Sequence, residues 1–420
     1  MRLLFVHQNF PGQYRHLAAR YAAQRGNQVV AIGEKANLSR QPAIPGVTRL
    51  GYDLPAKQPL QRAKAVAAVA AALRRSGFRP DVVFAHIGWG EAVFLKDVFP
   101  EAKLLLYGEF FYRASGSDVG FDPEFAPRPD TPLRLRLRNA PLLMALDAAD
   151  WVMAPTQWQR RQLPAAYQAS TSVIHDGIDT DSVFPIQDSF QEEIVTYVAR
   201  NLEPYRGFHV FMRAIPEIQK HRPRARIVIV GGDEVSYSPR LPPGQSYRAR
   251  LTQELGDRVD WSRVEFRGKI PYRDYLALLR RSSAHVYLTY PFVLSWSLLE
   301  AMSAGCLVVA SRTPPVEEVI RDGENGLLVD FFSTEQIAER IHLALTNKHS
   351  HLRRAARQAV VNGYDLKSKC LPAQLRLVET LQRERSDARP AADVEHLAGD
   401  EARVPVGEEQ HRTRDVVGLA

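Results

Sequence analysis

Residues 295–330 read SWSLLEAMSAGCLVVASRTPPVEEVIRDGENGLLVD, a stretch in which one carboxylate, Glu300, sits inside an otherwise apolar helical pattern. Ser295 and Ser297 are natural helix N-cap residues, and a helix starting there presents unpaired backbone N–H groups and the positive end of its dipole. Such an end suits a phosphate. Glu300 falls about one turn further in, where it can accept hydroxyl hydrogens from a sugar carried by that phosphate. Gly305 ends the helix, and Cys306–Ala310 (CLVVA) is a short apolar run of the kind buried on both faces of a parallel sheet. The same pattern also suits a plain helix-then-strand packing unit in which Glu300 only solvates an edge, so the rest of the chain has to decide.

The alternation recurs throughout. Leu3–His7 (LLFVH) is a buried-strand signal, followed by the Pro11-Gly12 turn and a helical pattern through Tyr14, Leu17, Ala18 and Tyr21. Gln28–Ile32, Val82–Ala85, Lys103–Tyr107 and Trp151–Ala154 continue it, with Gly12, His86 and Glu109 just past strand ends. A second cycle follows the stretch Asp179–Gln191: Ile194–Val198, Arg226–Val230, Val264–Phe266, His285–Thr289 and Leu307–Ala310. Strands alternating with helices predict doubly wound parallel sheets whose ligands lie beyond the carboxyl ends of the strands. At 420 residues two such domains facing across a cleft are expected. They span 1–180 and 181–365, with a helix over 366–385 returning to the first domain and a polar, acidic, disordered tail over 386–420.

Charge and cysteine content narrow the class. The net charge is +8, and residues 1–180 hold 22 Lys/Arg against 15 Asp/Glu, so the first half carries almost all of it. Arg134, Arg136 and Arg138 alternate with leucines, a pattern that suits either an anionic lipid surface or a plain solvated face. No basic motif interleaved with aromatics points to nucleic acid. The apolar segment Ala65–Leu73 is too short to span a bilayer, and His7 and Gln8 interrupt the apolar N-terminus before an export signal can form, which predicts a cytoplasmic protein. Cys306 and Cys370 suggest no disulfide framework. No G-x-G-x-x-G follows a strand and neither His nor Cys clusters, so no metal or nicotinamide cofactor is expected.

Val198–Gly207 (VARNLEPYRG) places Arg200 and Arg206 at the end of one strand and the start of the next helix. Two guanidinium groups there suit a diphosphate, because arginine contacts phosphate oxygens in bidentate fashion and keeps its charge. They would also offset charge on a departing diphosphate. Either could instead cap a helix or pair with Glu203.

With these residues in view, the second half resembles the donor-binding domain of the family 4 retaining glycosyltransferases of GT-B fold. The resemblance runs through Arg200 and Arg206-Gly207, Gly231, Phe266-Arg267-Gly268, the LLEAM-to-VVA block Leu298–Ala310, and Glu318–Val329. Asp176-Gly177-Ile178-Asp179 is similar to the Asn-Gly-x-Asp element that joins the domains. The resemblance implies that Glu300 holds a nucleotide ribose and that Ser295, Trp296 and Ser297 bind the pyrophosphate through backbone N–H groups. It implies further that Arg200 and Arg206 contact that pyrophosphate, and that the loop at Lys269 and Ile270 receives the base. Gly12 matches half of the family's Gly-Gly turn, where backbone approaches phosphate or sugar.

Two departures stand out. The family's paired glutamates lie eight positions apart, but Phe292 occupies the partner position of Glu300. Glu109 stands where the acceptor-side histidine usually follows its strand; a carboxylate there can orient or deprotonate an acceptor hydroxyl, or serve structurally beside a basic neighbour. His86 is a second acceptor-side candidate expected to face the cleft, although a loop histidine is also often structural. The expectation is a metal-independent transferase that moves a hexosyl group from a nucleotide-diphosphate sugar to a glycan or lipid-linked alcohol. Peripheral contact with the inner membrane face fits the basic first half. The alternative is a non-catalytic sugar-nucleotide-binding protein on the same scaffold.

Overall fold

Every residue of Leu3–Val6, Val29–Gly33 and Val82–His86 is buried, as strands covered by helices on both faces must be. In the computed structural model, which describes residues 1–54, 58–186, 192–346 and 349–387, these runs form the centre of the first of two parallel sheets. Its strands are β1 (Arg2–Val6), β2 (Gln28–Glu34), β3 (Val47–Tyr52), β4 (Val82–His86), β5 (Lys103–Tyr107), β6 (Trp151–Ala154) and β7 (Thr171–Val173), in the order β3-β2-β1-β4-β5-β6-β7. The second sheet holds β8 (Ile194–Asn201), β9 (Arg226–Gly232), β10 (Val264–Phe266), β11 (Ala284–Tyr287), β12 (Val308–Ser311) and β13 (Leu327–Val329), in the order β10-β9-β8-β11-β12-β13. Strand order reverses between β1 and β4 in one sheet and between β8 and β11 in the other, and a crevice opens at the carboxyl end of each such point.

Three edge strands, β3, β7 and β13, are absent from the sequence reading. β3 is half-solvated, with the pattern VTRLGY, and β7 and β13 are three residues each, too short to carry a period.

Three of the ties between the lobes set the frame. The helix Leu371–Asp387 returns to the first lobe, where Val378 and Leu381 join the core of Leu3, Phe5 and Phe84. Periodicity thus extends to Asp387, and the tail read as disordered lies, from 388 onward, outside the described residues. At the linker, Ile178 bridges Asp365, and Gly177 has φ +93° with a Cβ position only 2.7 Å from the Leu366 Cα, so the crossing needs a glycine. Third, a segment of the first lobe straps onto the second. Asp122 accepts hydrogen bonds from Tyr290 (2.5 Å) and pairs with His209 (2.9 Å), Asp118 accepts from Tyr205 (2.8 Å), and Glu124 pairs with Arg213 (2.6 Å). Hydrogen bonds to Tyr290 and His209 outweigh burial and hold the Asp122 carboxyl below its ordinary range.

Candidate functional site

Between the two sheet crevices lies a cleft of about 660 Å³. Gly12 comes to it from the first lobe, and Arg200, Lys269, Ile270, Ser295, Trp296, Ser297 and Glu300 from the second. Distant stretches of sequence are therefore gathered on one cavity.

The helix after β11 starts at Trp296, with Ser295 as its N-cap. The Ser295 side chain accepts from the Ser297 N–H over a long 3.4 Å, and the Ser295 N–H donates to the Tyr287 hydroxyl at 2.9 Å. The Trp296 N–H has no hydrogen-bond partner among the described residues, so the helix end keeps donor capacity toward the cleft. One turn on, Glu300 accepts from the hydroxyls of Tyr272 (2.8 Å) and Tyr275 (2.9 Å), which are three residues apart on the helix Tyr272–Arg281. Burial pushes the Glu300 carboxyl above its ordinary pKa, with the two phenols pulling the other way. Tyr272 and Tyr275 are site residues that sequence reading missed; their spacing was visible, but not that they would face Glu300.

Arg200 is exposed at the end of β8, and its guanidinium has no ion pair with another described residue. Arg206 lies across a smaller pocket of about 70 Å³ that also takes in Arg200, Ser295 and Ser297. One of its nitrogens donates to the Thr289 hydroxyl (3.0 Å) and the Val293 carbonyl (3.2 Å), so it also fixes the loop that leads into the Ser295 cap. Glu203 pairs with neither arginine. Its carboxylate accepts the backbone N–H groups of Ser236, Tyr237 and Ser238 at 2.9–3.1 Å. Lys269 bonds Glu234 at 2.8 Å, with both side chains more than half exposed, and Ile270 forms the apolar floor beside it.

On the first lobe, Gly12 adopts φ +46°, and a Cβ there would lie 2.6 Å from the His7 ring. Any side chain would displace the imidazole, so the close approach of backbone to the cleft depends on glycine. Glu109, half-buried past β5, accepts from Gln13 Nε2 at Oε1 (3.3 Å), and His86 Nε2, buried with no hydrogen bond among the described residues, lies 3.4 Å from Oε2. His86 does not face the cleft as expected. It is fully buried, stacked on Trp89 at 4.0 Å, because β4 runs straight into it and leaves it behind Glu109. Its Nδ1 accepts the Gly88 N–H (2.9 Å), which fixes the proton on Nε2, toward Glu109. His7 and His175 repeat the device, accepting from the N–H of Asn9 (2.9 Å) and Gly177 (3.0 Å). His7 passes the other end of its ring to Gln13 Oε1 at 2.8 Å, and burial lowers its pKa to about 3, so it stays neutral. Burial alone would raise the Glu109 pKa, but His86, Arg200 and Arg206 together hold it below its ordinary value, and it is ionised.

Two further residues matter. Phe292 is buried, with its ring against Phe110 (4.6 Å), Tyr237 (4.9 Å) and Tyr205 (5.5 Å), so the family's carboxylate position is part of an aromatic contact between the lobes. Asp176 reaches the cleft from the linker. Its Oδ2 accepts from Trp296 Nε1 (2.8 Å) in one lobe and from the Tyr107 hydroxyl (3.0 Å) in the other, while Oδ1 is buried without a partner. Burial raises its pKa to about 7, aided by Glu109. Its acidity is the one visible departure from the Asn-Gly-x-Asp element; its burial is not readable from sequence.

Known proteins were compared with this arrangement. A model of the glycosyl transferase family 4 group matches residues 25–183, and one of the glycosyl transferases group 1 matches residues 179–360. A D-inositol 3-phosphate glycosyltransferase of Corynebacterium aurimucosum is 28% identical over 219 residues, covering 48% of this chain and 49% of that protein. A phosphatidyl-myo-inositol mannosyltransferase of Mycolicibacterium smegmatis is 30% identical over 186 residues, 42% of this chain and 43% of that protein. The chain thus spans about half the length of the curated relatives it matches. Among solved structures, sucrose-phosphate synthase from Thermosynechococcus elongatus superposes with a TM-score of 0.71, and Anabaena HepE in complex with UDP and glucose with 0.66. Each is 19% identical and covers 91% of this chain and 100% of its own. At that identity the likeness is one of fold, and the fold is GT-B.

Proposed function

Because the chain belongs to the group 1 glycosyltransferases of family 4, we propose that it moves a hexosyl group, with retained anomeric configuration, from a nucleotide-diphosphate sugar to an alcohol. The observation that carries this reading is the meeting, on one cleft, of the Ser295-capped helix end, the Tyr-held Glu300 and the guanidinium of Arg200. The pyrophosphate takes the helix end and the two arginines, the ribose takes Glu300, and the base lies along Lys269 and Ile270. In the reaction the bond from the anomeric carbon to the diphosphate oxygen breaks. The leaving charge is met by Arg200, Arg206 and the helix dipole, positive groups fixed before the charge develops. Metal is not required for that task in this reading. Glu109, ionised, bonded by Gln13 and beside His86, orients the acceptor hydroxyl and takes its proton as the oxygen joins the anomeric carbon.

The acceptor in this proposal is a glycan or lipid-linked precursor presented to the basic first lobe, at the inner face of a membrane. No helix among the described residues is long and apolar enough to cross a bilayer, so any membrane contact of these helices is peripheral. The test is release of free nucleoside diphosphate, assayed over a panel of UDP- and GDP-sugars that first raise the melting temperature. Arg200→Ala or Arg206→Ala should lower turnover by about 100-fold or more. Unchanged turnover overturns the roles of the arginines, and nucleotide binding without any diphosphate release under every acceptor offered overturns catalysis.

A further inference from the structure

The helix Thr131–Ala148 is apolar on two faces. Its inner face buries Leu142, Ala145 and Leu146 in the first-lobe core, as an amphipathic helix should. Its outer face should then be polar, yet Leu133 is 69% exposed, Leu137 76% and Met144 47%. With Ala140, also exposed, these residues follow the spacing i, i+4, i+7, i+11. At 100° per residue they fall within an arc of about 60°, opposite the buried side. Leu143 adds a further exposed apolar side chain at the margin. Single exposed leucines need no explanation, but a continuous stripe does.

The charge beside the stripe selects its partner. Arg134 and Arg136 flank it, and Arg128 precedes it. Arg136 has no ion pair among the described residues, and Arg128 and Arg134 share one exposed carboxylate, Asp130, at 3.7 and 3.6 Å. Arg138 is set aside from this role, since it lies over the Tyr112 ring at 3.7 Å and donates to its hydroxyl. One acidic side chain, Asp147, lies at the far end. An apolar ridge bordered by guanidiniums matches the interface of an anionic bilayer: leucine and methionine enter the acyl boundary while arginine stays at the headgroups.

We propose that this outer face docks the first lobe onto an anionic lipid bilayer, lying in the interface without crossing it. Its position is what gives the docking a use. Asn139, on the inner face, takes the Tyr112 N–H (3.2 Å) and donates to the Tyr112 carbonyl (2.7 Å), which anchors the helix to the segment that leaves Glu109. The helix that carries the stripe is therefore tied directly to the chain three residues past Glu109. The docking deepens the lipid-linked acceptor reading above but is measured independently of it.

The experiment is co-sedimentation of the full chain with vesicles of phosphatidylcholine alone and of phosphatidylcholine mixed with phosphatidylglycerol. The wild type should pellet with the mixed vesicles and be released by salt. The double variant Leu133→Glu, Leu137→Glu should bind them about tenfold more weakly or worse, with its melting temperature and UDP binding unchanged, since both side chains are already solvated. Arg136→Glu should weaken binding to the mixed vesicles alone, and carries the test if the double variant does not fold. Wild type that pellets no more with mixed vesicles than without them overturns the proposal, as does a folded double variant that pellets like the wild type. A wild-type dimer that the same double substitution turns into a monomer, with no vesicle binding by either, assigns the stripe to a second copy of the chain and equally overturns it. A wild type that binds UDP but no mixed vesicles refutes the docking alone; a wild type that binds the mixed vesicles but no UDP refutes the donor site alone.

Discussion

Asp176→Asn should make the protein more stable at alkaline pH and leave it unchanged in acid. The carboxyl is 7% exposed, has Oδ1 without a partner, and is raised by burial from 3.8 to about 7. A carboxyl whose folded pKa lies above its unfolded value favours the folded state only in its protonated form. Its penalty is therefore absent below pH 4, grows between 4 and 7, and is complete above 7. At 1.36 kcal/mol per decade, the interval from 3.8 to about 7 corresponds to a cost on the order of 4 kcal/mol at pH 8 and above. Asparagine keeps an oxygen for Trp296 and Tyr107 but carries no charge, so it should recover at least half of that, about 2 kcal/mol, or roughly 2–3 °C in melting temperature for a chain of this length. Urea unfolding of wild type and variant at about pH 4 and about pH 8.5 measures it, as the difference of the two differences. A variant whose stability relative to wild type is the same at both pH values refutes the assignment of a buried carboxyl with a raised pKa in the linker.

Glu109→Gln keeps the shape but not the charge, and should lower turnover by about 100-fold or more with nucleotide binding unchanged. In the wild type, activity should persist until pH falls below the ordinary glutamate value of 4.5, because the ionised form is the working one and its pKa is depressed; a profile that falls well above that value contradicts the His86 contact. Glu318→Ala removes the carboxylate that, from the second lobe, accepts the N–H groups of Gln157 (2.7 Å) and Trp158 (2.8 Å) at a helix start in the first. About 1–2 kcal/mol of unfolding free energy should be lost, read by urea titration. Asp122→Ala should cost about 3–5 kcal/mol by the same measurement, since it leaves His209 and Tyr290 buried without their shared acceptor.

The apolar strands, the Gly turns and the Ser295 cap are local features: a parallel strand buried on both faces has to be written as a continuous apolar run, and a helix start needs its cap adjacent in sequence. That is why the doubly wound fold, the helix end and the place of Glu300 were legible in the chain itself. Arg200 and Arg206 were legible too, as residues at a strand's carboxyl end, although Arg206's second task of holding the loop at Thr289 and Val293 was not. What only the tertiary structure decided is which groups share an environment. Tyr272 and Tyr275 reach Glu300 from another helix, Gln13 reaches Glu109 across 96 positions, and Trp296 and Tyr107 reach Asp176 from opposite lobes. His86 reads identically in sequence whether it faces solvent or lies stacked beneath Trp89. Hydrogen-bond partners, burial and the pKa values they set depend on distances through space, and sequence order fixes those only within an element, not between lobes.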